Sequence, residues 1–158
     1  MRIRMTGNAR LGSVAEWRLR TLLRRTLRRL TPGLNLELSV ALVDEKEITE
    51  LNRRFLERDC STDVLAFPQL SSGEIDELSS AARGPAEPLG DIVLCVPVAE
   101  RQAAERRSGP RDEIELLATH GLLHLLGYED ETQAGAARMA EMESELLGRN
   151  ILEETPGG

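Results

Sequence analysis

The stretch His120-Gly-Leu-Leu-His124-Leu-Leu-Gly127-Tyr-Glu-Asp130 constrains the fold of this chain more than any other part of it. It contains the only two histidines among 158 residues. Four residues along an α-helix correspond to about 6 Å of rise and roughly 40° of rotation, so both imidazoles project from one helix face. Gly127 permits the helix to end in a left-handed turn, which brings the following acids back towards the histidines. The pattern predicts a buried helix followed by a turn that carries a carboxylate.

The residue types in this stretch are those of a metal site with three protein ligands and an open fourth position. The candidate ligands are His120, His124 and Asp130. Two imidazoles and one carboxylate suit zinc, and they also suit iron(II), manganese or nickel. Glu129 and Glu131 are alternative carboxylate ligands. The alternative is that the stretch binds no metal, and that the two histidines lie on a helix surface beside solvated acids.

The remaining sequence predicts an α+β fold in a single domain that spans residues 1–158. We expect a small mixed β-sheet of about four strands packed with about five helices, and a metal site on the buried helix and the turn after it. Ser13 and Glu16 fit a capping box at the start of the first helix. Residues 69–89 are polar and rich in glycine, proline and serine, which predicts a long loop that can include a helical turn. Periodicity places strands at 2–6, 34–43, 63–67 and 91–96, and helices at 13–30, 45–55, 97–107, 111–126 and 132–148.

Composition limits the classes of protein to which the chain can belong. No apolar run reaches the length of a membrane span, and no signal peptide is recognisable. The two cysteines, Cys60 and Cys95, are widely separated and predict reduced thiols in a cytoplasmic protein.

Charge is distributed unevenly along the chain. Residues 1–30 contain nine arginines and one acid, Glu16, a balance of +8. Since the whole chain carries −7, the remaining residues carry −15. An arginine-rich first helix in an acidic protein favours a local anionic partner over general affinity for nucleic acid. The alternative is a solvated helix face.

Three segments, in order, resemble the conserved blocks of one known family. They are Leu51-Asn52 with Asp59 and Thr62-Asp-Val-Leu-Ala-Phe-Pro68, then Leu89-Gly-Asp-Ile-Val93, and then the histidine stretch. Together they resemble the YbeY family of bacterial metal-dependent endoribonucleases over roughly residues 40–145. The resemblance implies one zinc ion on three ligands and cleavage of single-stranded RNA. It also implies a role in ribosomal RNA maturation at the small-subunit 3′ end and in ribosome quality control, with the ribosome or its small subunit as partner.

Two departures from the family pattern bear on the site, beside the replacements at Ser61 and Ala66. Asp130 stands where the family has a third histidine, and Leu56 follows Phe55 where many members carry an arginine. Arg54 or Arg58 could reach the same RNA phosphate from two residues away. If instead six arginines of the first helix contacted RNA phosphates, affinity would fall by roughly a few hundredfold between about 50 and 200 mM salt. Those six are Arg18, Arg20, Arg24, Arg25, Arg28 and Arg29.

A carboxylate at position 130 has a consequence for the pH dependence of catalysis. It brings negative charge to the metal and makes it a weaker Lewis acid than three neutral imidazoles would. We therefore expect a more alkaline pH optimum than a three-histidine site would give. The Asp130→His variant should move the pH–rate profile towards acid, and an unmoved profile would contradict this expectation.

Other functions remain compatible with the sequence. Gly121 follows His120 where zinc peptidases place the catalytic glutamate of HExxH, which argues against peptide hydrolysis. A metallohydrolase of another substrate is one alternative, and a ribosome-associated assembly factor with a structural or lost metal is another. The sequence identifies no general base; Asp63 and Asp91 are acids near strand ends, where caps and turns are the usual roles.

Overall fold

The computed structural model describes residues 1–56, 62–78 and 84–149. Within these ranges the helices and strands follow the predicted order, and the α+β class is confirmed. The helices number six, one more than the sequence predicts, because a short helix lies inside the expected loop. The elements are β1 (Arg2–Thr6), α1 (Ser13–Leu30), β2 (Leu36–Val43), α2 (Glu45–Leu56), β3 (Val64–Pro68), α3 (Ser72–Glu77), β4 (Glu87–Cys95), α4 (Val96–Glu105), α5 (Pro110–Leu125) and α6 (Gln133–Leu147).

The four strands form one mixed sheet in the order β1-β2-β4-β3. β1, β2 and β4 are parallel, whereas β3 runs antiparallel to β4 at the edge of the sheet. Ile92 of β4 lies opposite Val40 of β2 on one side and Ala66 of β3 on the other. The sheet therefore carries an edge strand, β3, that begins directly after Asp63.

Alternating side chains give the sheet two apolar faces. One face packs in the main core with α1 and α5, through residues such as Leu38, Ile92 and Leu122. The other face packs against α2 in a second cluster that includes Ile48 and Val93. α5 and α2 consequently lie on opposite faces of the sheet, and the predicted metal helix belongs to the larger core.

The capping box that the sequence predicted at Ser13 and Glu16 is wrong. α1 begins at Ser13, but its N-cap is Gly12 and no side chain caps it. A capping box needs its acid three residues after the cap, and Glu16 lies four after Gly12; its carboxylate instead accepts a hydrogen bond from the Leu11 N–H at 3.3 Å. In the described part of residues 69–89, Ser71 and Glu74 form a capping box that begins the short helix α3, and β4 starts at Glu87, earlier than expected.

Two further observations bear on the expectations from composition. No helix in the described part of the chain is both long and apolar enough to cross a bilayer. Cys95 is a buried free thiol, and burial raises its pKa. Cys60 lies outside the described residues.

Candidate metal centre

Local sequence determines where α5 begins and where it ends. Pro110 lies in its first turn, and Asp112 and Glu113 follow where negative charge stabilises a helix start. At the other end, the Gly127 N–H donates to the His124 carbonyl at 3.0 Å, and the Tyr128 N–H donates to the Leu123 carbonyl at 3.0 Å. These two bonds form a Schellman motif, with Gly127 at φ 100°. The motif reverses the chain and places Asp130 beside the two histidines, as the glycine predicted.

The three candidate ligands are brought together at the end of α5. Their ligand atoms lie within 4.8 Å of one another. His120 Nε2 is 3.1 Å from His124 Nε2, and Asp130 Oδ2 is 3.4 Å and 3.7 Å from these two nitrogens. Ligand atoms about 2.0–2.2 Å from one zinc ion in tetrahedral geometry lie about 3.3 Å apart. The separations of these side chains therefore fit a single small divalent cation.

The outer nitrogen of each imidazole is held by a hydrogen-bond acceptor. His120 Nδ1 lies 2.6 Å from Glu143 Oε1, and His124 Nδ1 lies 3.1 Å from the Tyr128 carbonyl oxygen. A carbonyl can only accept and an ionised carboxylate only accepts, so each Nδ1 donates its hydrogen. In the neutral imidazoles both Nε2 lone pairs then face the centre of the cluster, 3.1 Å apart. Two such lone pairs repel unless a cation or a proton lies between them, which suits a metal site.

Glu143 is a functional candidate that the sequence interpretation missed. It comes from α6, 23 residues after His120, and only 5% of its surface is exposed. A buried carboxylate is costly without a partner, and here the partner is His120. Its signal in the sequence is an acid on the inward stripe of α6, between Met139 and Leu146.

The same contact governs the protonation of His120. Burial lowers the pKa of His120, but its hydrogen bond to Glu143 and the negative charges of Glu143, Asp130 and Asp63 outweigh that effect. The net pKa lies above the usual value for histidine. A proton consequently competes more strongly for this imidazole as the pH falls, and metal binding must displace it.

The alternative ligand Glu129 has a structural role instead. Its carboxylate accepts hydrogen bonds from the Glu131 N–H at 2.7 Å and from the Thr132 N–H and hydroxyl at 3.2 Å and 2.8 Å. The bond from the Thr132 hydroxyl is the largest cause that lowers the pKa of Glu129, followed by the two backbone bonds. A side chain at Gly135 would collide with this carboxylate, at 2.0 Å from Oε1. Glu129 therefore organises the start of α6. Glu131 lies in the same turn but outside the cluster of three ligand atoms.

Of the two arginines near position 56 that the sequence suggested for RNA binding, the structure describes Arg54, and Arg54 is not brought into the cluster. Arg54 lies on α2, on the opposite face of the sheet from α5, with its guanidinium 5.6 Å from the ring centre of Phe55. Leu56 is 47% exposed beside it. Arg58 and Asp59 lie outside the described residues.

The two acids at strand ends have different surroundings. Asp63 accepts hydrogen bonds from the Val64 N–H at 2.8 Å and from Gln102 at 3.3 Å, and its charge reaches His120. Asp91 instead accepts a hydrogen bond from Gln69 at 3.0 Å on the second face of the sheet. Of the two, only Asp63 has a place in the electrostatics of the cluster.

The helix position after His120 is filled by the sheet. A Cβ at Gly121 would lie 3.1 Å from Ile92 Cγ2 and 3.4 Å from Val64 Cγ2. A glutamate at this position would press its Cβ on these two side chains, so the packing disfavours the general base of an HExxH peptidase here. On its solvent side, His124 borders an open cavity of about 390 Å³, which is also lined by Gln69, Ser71 and Glu74.

Two imidazoles and a carboxylate at the end of a buried helix, beside an open cavity, are typical of mononuclear metallohydrolases. Comparisons with known proteins agree with that class. Residues 8–150 match the family model described as "Endoribonuclease YbeY". By this match the chain belongs to the endoribonuclease YbeY family, as the three segments of the sequence predicted.

Individual relatives support the family assignment along most of the chain. "Endoribonuclease YbeY" of Acidothermus cellulolyticus is 42% identical over 136 residues, which cover 85% of this chain and 82% of that protein. The Thermobifida fusca protein of the same name is 45% identical over 123 residues, covering 75% and 76%. Among solved structures, a Thermotoga maritima protein determined in solution superposes with a TM-score of 0.62 at 27% identity, covering 99% and 98% of the two chains.

Proposed function

We propose that this protein cleaves single-stranded RNA at a centre formed by His120, His124 and Asp130, which hold one divalent metal ion. As a member of its family it is an endoribonuclease, a hydrolase of RNA phosphodiester bonds that acts in ribosomal RNA maturation. The observation that carries the proposal is the set of ligand-atom separations of 3.1, 3.4 and 3.7 Å. Zinc is the metal that these distances and ligand types suit best, with nickel, manganese and iron(II) as alternatives.

Each residue of the centre has a defined part in the proposed mechanism. His120, His124 and Asp130 would hold the divalent metal, which would supply Lewis-acid polarisation of a phosphoryl oxygen or hydroxide near neutral pH. Glu143 and the Tyr128 carbonyl fix the orientation of the two imidazoles, so that both Nε2 atoms face the same point. The open cavity next to His124 gives an RNA strand access from the solvent side. No side chain at position 121 is needed as a base, in keeping with Gly121.

The biological setting follows from the substrate. We place the activity at ribosomal RNA, with the small-subunit 3′ end as the processing site and the ribosome or its small subunit as partner. A role in ribosome quality control and work in the cytoplasm belong to the same proposal.

The proposal is tested with one RNA in two states. We expect the protein to cut a labelled single-stranded oligoribonucleotide internally and to leave the same strand intact when it is paired in a duplex. EDTA should abolish the cut, and added zinc should restore it. Cleavage that persists in EDTA, or that does not distinguish the two RNA states, would contradict the proposal.

A further inference from the structure

The solvent-facing side of α1 carries one continuous stripe of residues. Val14, Trp17, Thr21, Arg25 and Arg28 are all exposed and recur at intervals of three or four residues. Such spacing places them on one helix face, over a length of about 21 Å. The opposite side of α1, which includes Leu19 and Leu23, is buried in the main core. The stripe is therefore held rigidly on the protein surface.

The positive charge of the stripe is only partly neutralised. Arg18 forms an ion pair with Glu115 at 3.2 Å, and Arg29 pairs with Glu145. Arg25 and Arg28 have no carboxylate within ion-pair distance among the described residues. Arg20 and Arg24 are half-buried, so not all six arginines identified from the sequence are free to meet a partner. Arg25 and Arg28 are thus exposed and can bind an anion without first breaking an ion pair.

Trp17 adds an apolar surface to this charged stripe. It is 66% exposed, and Val14 next to it is 62% exposed. Large aromatic side chains tend to be buried, and an exposed one beside arginines resembles a stacking platform of nucleic-acid-binding proteins. It is also the only tryptophan in the chain.

The metal centre itself offers little attraction for a phosphate chain. Glu129, Asp130 and Glu131 crowd the turn between α5 and α6, and Glu143, near the end of α6, lies against His120. Leu30, at the end of α1, packs on the cluster formed by Leu123, Met139 and Leu146. The basic end of α1 thus lies beside the helices that carry the acidic centre. The exposed arginines of α1 supply positive charge next to these acids.

We propose that the α1 stripe is a second binding surface for single-stranded RNA, on which a base stacks against Trp17 while Arg25 and Arg28 bind phosphates. The inference rests on the proposed function insofar as RNA is the substrate. It assigns RNA affinity to α1 and RNA cleavage to the metal centre on α5, so binding and cleavage can be measured separately. None of the stripe residues belongs to the metal centre.

The test is binding of a labelled, unstructured 12-nucleotide RNA to the full chain, followed by fluorescence anisotropy. EDTA is present, so that metal-dependent cleavage does not interfere. Trp17→Ala should weaken binding by roughly fivefold to a hundredfold, and Trp17→Phe should keep most of the affinity. Arg25→Glu combined with Arg28→Glu should lower the slope of log affinity against log salt by about 1.4 or more, at about 0.7 for each phosphate contact. Unlabelled RNA should quench the emission of Trp17 in the wild type.

The matched control carries the same change in net charge elsewhere on the surface. Lys46→Glu with Arg107→Glu alters two exposed residues away from α1 and should leave the salt slope unchanged. The proposal would be overturned if the control variant bound RNA as weakly as the stripe variant. It would also be overturned if RNA left the Trp17 emission of the wild type unaltered and Trp17→Ala bound RNA normally. Cleavage at saturating RNA should stay normal in the stripe variants. If wild-type protein bound RNA through the stripe but did not cut it, the proposed function would fail and this inference would stand.

Discussion

Replacement of Asp130 by alanine is expected to abolish RNA cleavage and to lower metal affinity by at least a hundredfold. Loss of a hydrogen-bond partner behind a ligand costs about 10- to 100-fold in metal affinity, so loss of a ligand itself should cost more. Asp130 Oδ2 lies 3.4 and 3.7 Å from the histidine nitrogens, and in the described ranges no further carboxylate joins that cluster. The measurement is a competition titration with a metal indicator, beside a cleavage assay.

Glu131→Ala is the control for this variant, because it removes the next carboxylate in the same turn. It should retain both metal and activity. An Asp130→Ala protein that binds metal as tightly as the wild type would show that a different group completes the centre. Glu131→Ala would then be the informative variant.

The second large effect is expected at Glu143. Glu143→Gln should reduce metal affinity by about 10- to 100-fold, although the side chain keeps its shape. The neutral amide accepts a weaker hydrogen bond from His120 Nδ1 than the carboxylate does, and it no longer balances the charge of the metal. Affinity is measured by the same indicator competition, and the folded state by circular dichroism.

Glu141→Gln on the exposed side of α6 makes the identical chemical change without touching His120, and its metal affinity should equal that of the wild type. A purely structural role for Glu143 would appear as lower thermal stability with unchanged metal affinity. That result would contradict the orienting role that we assign to it.

Much of the fold could be predicted because its signals are local. The alternation in β2, the apolar turns of α5 and the glycine at 127 each act within a few residues, and the structure has each element where the pattern predicted it. The N-cap of α1 is Gly12 and not the predicted Ser13, and a glycine offers no side chain to cap a helix. α3 lies within the expected loop, and Ser71 and Glu74 form the capping box that begins it.

What the sequence could not predict depends on contacts between distant elements. Glu143 meets His120 because α6 folds back along α5, and nothing near residue 143 specifies that packing. The sequence likewise did not predict that Glu129 organises the start of α6, because this role depends on the space that Gly135 leaves for the Glu129 carboxylate. Likewise, the pairing of Arg18 with Glu115 joins two helices far apart in the chain. The ligand set itself stays a prediction, now supported by distances that fit one ion.

Metal content is the most direct measurement of the central claim, that His120, His124 and Asp130 hold one divalent ion. The purified wild type and a His120→Ala variant would be compared by inductively coupled plasma mass spectrometry, before and after incubation with zinc. We expect close to one equivalent of metal in the wild type and its loss in the variant. A wild type that remains free of metal after reconstitution, or a variant that retains the full equivalent, would contradict the account.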